Sequence, residues 1–159
     1  MEASFIFKEF LERTINTKNY ESRSIKTFID SSIRENYIFN SKINGIEESD
    51  LILMVGTNPR YEATMINARI RKAFLNNNTK IISLSNVGDL TYPYESLDGN
   101  TQTIKDIFEN KNELSKKIIN SKRPLIIFGE SFLRIRSAEY LFNSLKDFLK
   151  KNDKISSEW

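Results

Sequence analysis

The chain has 159 residues, 39% hydrophobic and 28% charged, with 24 basic and 21 acidic side chains giving a net charge of +3. This suits one compact domain or a piece of a larger one, and so weak a field gives little basis for nucleic-acid binding. With no Cys and no His, an iron–sulfur cluster, a structural zinc, a disulfide and a Ser-His-Asp or Cys-His nucleophile are all excluded.

The first predicted element is a helix over residues 4–15, where Phe7, Phe10 and Leu11 fall at i, i+3 and i+4. A loop-rich stretch, 16–44, follows. Three short β-branched runs then read as parallel strands covered on both faces: 51–56 (LILMVG), 80–85 (KIISLS) and 124–129 (PLIIFG). A helix over 60–75 lies between the first two, with Ile66, Ile70, Ala73 and Phe74 on one face, Asn58 as its cap and Pro59 in its first turn. A second loop-rich stretch, 86–100, leads to a helical stretch over 103–120, broken near Asn110-Lys111-Asn112. The last helix, 136–150, carries the stripe Ala138, Leu141, Phe142, Leu145, Phe148 and Leu149. The expected architecture is α/β, a three-stranded parallel sheet with helices on both faces. Residues 1–151 form it, and 152–159 form a polar tail in which Trp159 is a candidate anchor to a partner. The longest apolar runs fall far short of the roughly 20 residues a bilayer span needs, so no direct membrane span is expected. Neither a signal peptide nor a basic transit peptide is evident at the N-terminus.

The most informative segment is Gly45–Lys72, GIEESDLILMVGTNPRYEATMINARIRK. It reads as strand, tight loop and helix, with the loop Gly56-Thr57-Asn58-Pro59 at the carboxyl end of the strand. Open α/β sheets bind ligands there, and backbone N–H groups with the helix dipole favour an anion. The loop lacks both the G-x-G-x-x-G fingerprint and the G-K-[ST] of a P-loop, which favours a plain strand-to-helix turn over a nucleotide cradle. Glu47, Glu48 and Asp50 could pass for paired catalytic carboxylates, but they precede the strand at its amino end, where parallel sheets seldom place chemistry. Tyr92 and Tyr94, flanking Pro93, read as packing under a long loop rather than as a base-stacking platform.

The same segment resembles the large iron–sulfur subunit family of respiratory complex I, whose C-terminal half resembles molybdopterin oxidoreductases. Further similarity follows at Arg34-Glu35-Asn36-Tyr37-Ile38-Phe39-Asn40, Asp89-Leu90-Thr91-Tyr92, Tyr94, Leu97 and Lys122-Arg123-Pro124-Leu125-Ile126-Ile127-Phe128-Gly129. The resemblance runs from about Phe5 to Leu149. It implies a Rossmann-like fragment of a molybdopterin-oxidoreductase-like domain. In the wider molybdopterin family a G-x-N-P loop helps hold the pterin dinucleotide, and Gly56, Asn58 and Pro59 match it. The complex I version is taken to have lost that cofactor in most members, and Arg60 with the run Asn67-Ala68-Arg69-Ile70-Arg71-Lys72 follows the complex I pattern.

The resemblance therefore implies a non-catalytic scaffold within an NADH:ubiquinone oxidoreductase, with no cofactor in this chain and the iron–sulfur clusters in partner chains. Expected partners are the chains completing the same subunit and the other matrix-arm subunits, with Arg60, Arg69, Arg71 and Lys72 as candidate inter-subunit contacts. The cysteine-rich half of the family's subunit is not represented here. Together with a bias toward Asn, Ile, Lys, Phe and Tyr, all encoded by A/T-rich codons, this points to a split subunit on the matrix side of the mitochondrial inner membrane. Two rivals are a fragment of a true molybdopterin oxidoreductase and a free-standing nucleotide-binding module.

Overall fold

A computed structural model describes residues 2–20 and 27–155. The sheet is built around β1 (Leu51–Val55), whose five residues are all buried. β2 (Lys80–Ser83) pairs with it in parallel on one side, Ile52 opposite Ile81, and β4 (Pro124–Phe128) in parallel on the other, Ile52 opposite Leu125. Because side chains alternate along a strand, β1 supplies both halves of the core. Leu51, Leu53 and Val55 join one cluster with Ile104, Ile107, Leu114, Ile118, Leu141 and Leu145, while Ile52 and Met54 join the other with Ile46, Ile70, Ala73 and Leu90.

The sheet has four strands in the order β3-β2-β1-β4, not the expected three. The addition, β3 (Glu95–Ser96), pairs with β2 in parallel through Ile82 and Glu95. It is two polar residues long, so it carries no apolar run and reads in sequence as loop. Lys117 secures it by donating to both Glu95 carboxylate oxygens at 2.9 and 3.0 Å.

The helices follow the predicted periodicities, with shifted ends. α1 (Glu2–Arg13) comes first. The helix expected over 60–75 is divided into α2 (Pro59–Glu62) and α3 (Thr64–Asn77), because Ala63 leaves helical geometry at φ −152°, ψ 69°. Asn78 closes α3 in the left-handed region, φ 53°, a common helix stop. The break expected near Asn110 separates α4 (Thr101–Phe108) from α5 (Glu113–Asn120). Asn110 turns at φ 58° and the Asn112 side chain caps α5 by accepting from Leu114 N–H. A short α6 (Glu130–Leu133), not predicted, follows β4, and α7 (Ala138–Lys151) buries Ala138, Leu141, Leu145 and Phe148. Stretch 16–44 contains a 3₁₀ turn, Arg34–Asn36, and another, Asn44–Glu48, precedes β1 with Ile46 fully buried. Among the described residues no helix is long and apolar enough to cross a membrane. Trp159 and the rest of 156–159 lie outside the described residues.

Candidate functional site

Chain order and strand order diverge at β1. The chain moves through α2 and α3 to β2 and then β3 on one side, and returns through α4 and α5 to β4 on the other. The carboxyl ends of β1 and β4 therefore form the topological switch point, where open α/β sheets place ligands. A cavity of about 400 Å³ opens beside it, lined by Gly56, Thr57, Asn58, Glu62, Leu84 and Phe132 among others. The loop singled out in the sequence is one wall of this cleft.

The floor of the switch point is closed by backbone. Gly56 turns at φ +62°, and a Cβ there would lie 2.7 Å from the Phe132 amide nitrogen. A Cβ on Gly129 would lie 2.1 Å from the Gly56 carbonyl oxygen. The two turns after β1 and β4 thus touch through their glycines, and Gly129 N–H extends the ladder by donating to Val55 C=O at 2.9 Å.

The polar groups of the loop are engaged within the chain. Asn58 accepts from Arg60 N–H at 3.2 Å, the N-cap expected from its place before Pro59, and its side-chain amide donates to Val87 C=O at 2.9 Å. Glu62 folds back over the loop: one carboxylate oxygen accepts from the Thr57 hydroxyl at 2.8 Å and the other from Asn58 N–H at 3.1 Å. Glu62 escapes a reading keyed to nucleotide motifs, although an acid in the first turn of a helix is a recognised capping signal.

The cations singled out in the sequence are spread along α2 and α3. Arg60 donates to both the carbonyl and the carboxylate of Asp89, each at 2.7 Å, and together with Thr91 N–H this holds the Asp89 carboxyl below its usual range, the Thr91 bond contributing most. Arg69 and Lys72 both pair with Glu47 at 2.6 Å, and its carboxyl is lowered, chiefly by Lys72. Arg71 is exposed. Below them, Tyr92 donates to Asn67 Oδ1 at 2.7 Å, and burial pushes its phenol far above the usual range, so the hydroxyl stays a donor. Tyr94 accepts from Val87 N–H at 3.2 Å and donates to Gly88 C=O at 3.0 Å. Both tyrosines shape the 86–94 loop.

The carboxylates before β1 lie at the opposite end of the sheet from the cleft. Asp50 receives the Ser121 hydroxyl, Lys122 N–H at 2.7 Å and Arg123 N–H at 3.0 Å, fixing the turn into β4. Glu48 pairs with Arg123 at 2.5 Å. Their geometry is that of strand-start clamps.

Comparison with known proteins decides the family: a sequence profile described as molybdopterin oxidoreductase matches residues 1–159. The chain belongs to the molybdopterin oxidoreductase family. Among similar relatives of this family is the NADH-ubiquinone oxidoreductase 75 kDa subunit of Reclinomonas americana, 32% identical over 100% of this chain and 25% of that protein. The 78 kDa subunit of Candida albicans is 37% identical over 80% of this chain and 18% of its own length. The NADH dehydrogenase [ubiquinone] iron-sulfur protein 1 of Solanum tuberosum is 33% identical over 82% of this chain and 18% of its own length. The chain therefore spans a quarter or less of the length of these relatives.

Proposed function

We propose that the chain is a structural, non-catalytic component of the matrix arm of mitochondrial NADH:ubiquinone oxidoreductase. In that role it contributes shape and contacts to electron transfer from NADH to quinone, and the iron–sulfur clusters belong to partner chains. The observation that carries this reading is its 32–37% identity, over most or all of its length, to complex I subunits of three distant organisms. A chain with no thiol and no imidazole lacks the usual ligands of a cluster, which supports a scaffold role. The cleft, where a cofactor enzyme of this family would work, has its loop donors engaged internally.

The surface also suits a piece of a larger assembly. Helix α1 buries none of its residues and exposes Phe5, Ile6, Phe7 and Phe10 at 64%, 66%, 61% and 47%. Ile6, Phe7 and Phe10 fall on one side of the helix, and an exposed apolar face of this kind marks a contact surface. Strand β4 closes one side of the sheet in the order above, with Ile126, Ile127 and Phe128 only half-buried. These features fit docking against the chains that complete the subunit.

The test is purification of the tagged chain from its native cell, with mass spectrometry of what accompanies it and metal analysis of the assembly. Complex I subunits in stoichiometric amount, without molybdenum or tungsten, are expected. Recovery apart from that complex, or a stoichiometric molybdenum or tungsten, would overturn the proposal.

A further inference from the structure

The family's pterin dinucleotide does not fit the loop at the carboxyl end of β1, and the mismatch has a specific author among the side chains. We infer that Glu62 takes the place of a ligand's phosphate: its carboxylate fills the anion position of the loop and so excludes phosphate-bearing cofactors from the cleft.

Three observations converge on this assignment. First, two of the donors such a loop would offer to phosphate oxygens are already given to Glu62. The Thr57 hydroxyl and the Asn58 amide N–H reach its two carboxylate oxygens separately, at 2.8 and 3.1 Å, a division of bonds that mimics an oxyanion. Second, among the described residues no cation lines the cleft to offset a pyrophosphate. Among the described residues lining the cavity Glu62 alone is ionisable, and the nearby Arg60 is directed to Asp89 at 2.7 Å. A dinucleotide entering here would bring negative charge against the Glu62 carboxylate. Third, the floor is filled. The 2.1 Å separation between an imagined Gly129 Cβ and the Gly56 oxygen shows the two turns in backbone contact, with no gap for a ligand to wedge between them.

The break in the helix at Ala63 belongs to the same device. With φ −152° and ψ 69°, Ala63 ends α2 after one turn, so that Glu62 points back over the loop while α3 takes its own direction across the sheet. Exposure of Glu62 to solvent keeps its charge hydrated on the outer side, which lowers the cost of holding it at the mouth.

This inference deepens the scaffold reading and fails separately from it. The test uses the full chain, inorganic pyrophosphate as probe, and scanning calorimetry with and without it, at matched ionic strength in sodium chloride. The wild-type Tm is expected to stay unmoved by millimolar pyrophosphate. Glu62→Ala frees both donors and is expected to lower Tm by about 2–4 °C, the size of a lost cap in a domain of this length, with pyrophosphate restoring at least half of the drop. If the alanine variant does not fold, Glu62→Gln serves instead, with a smaller drop and recovery in the same direction. Stabilisation of the wild type by pyrophosphate would show the anion position open and overturn the inference. So would a Glu62 variant whose Tm is unchanged, or whose drop no anion recovers, since Glu62 would then be inert or an ordinary cap. None of these outcomes touches membership in complex I, which is read from the co-purifying subunits.

Discussion

Asp50 sits between two strands that are far apart in the chain, and its carboxylate accepts from Ser121, Lys122 and Arg123. Burial alone would raise its pKa, but these bonds outweigh that effect and hold it below the ordinary aspartate value. The sign of the linkage follows. Between the ordinary value, about 4, and the depressed native one, the unfolded chain binds more protons than the folded one. Asp50 therefore stabilises fully above about pH 4, and that contribution is lost as pH falls through its native pKa. Asp50→Ala is expected to cost about 1 kcal/mol at neutral pH in urea unfolding, solvent access to the carboxylate holding the figure at the low end. The variant should also show a shallower loss of stability below about pH 4 than the wild type. Sequence alone offers Asp50, Glu48 and Glu47 only as acids near a strand start. Which backbone groups Asp50 holds depends on β4 returning beside β1 more than 70 positions later, a fact no local pattern contains.

At the scale of elements, the strands and long helices are legible because each is long enough for its periodicity to stand out. The run LILMVG gives β1, and the stripe from Ala138 to Leu149 gives α7. What escapes is short or set by contacts distant in sequence. β3 is two polar residues held by a parallel neighbour and by Lys117. The interruption at Ala63 places a good helix former outside helical geometry, next to a Glu62 held by Thr57 and Asn58. The candidate loop itself was legible down to Gly56, Asn58 and Pro59, whereas its internal carboxylate was not. The Gly56–Gly129 contact supplies an element-scale prediction. Gly129→Ala drives a methyl group into the Gly56 carbonyl, forcing the turns after β1 and β4 apart. A loss of about 2–4 kcal/mol is expected in denaturant unfolding, with little change in helix content by circular dichroism.

For the whole molecule, α1 is the feature that fits an isolated chain least. Phe7 and Phe10 are exposed at 61% and 47%, although the helix pattern that predicts α1 also predicts a buried face for it. The chain alone is therefore expected to self-associate with rising concentration, measured by light scattering coupled to size-exclusion chromatography. The double variant Phe7→Ser, Phe10→Ser should run as a monomer, with unfolding free energy within about 0.5 kcal/mol of wild type, because neither side chain contributes to the core. A wild type that stays monomeric throughout would count against a contact role for this helix.

The position of β1 has a consequence for how the molecule comes apart. Its two neighbours bond to opposite edges and its alternate side chains feed both apolar layers, so neither layer can loosen while leaving the other whole. The chain has, in effect, a single spine. Losing it would dissolve the sheet and both layers in one event, so that in a lone copy they stand or fall together.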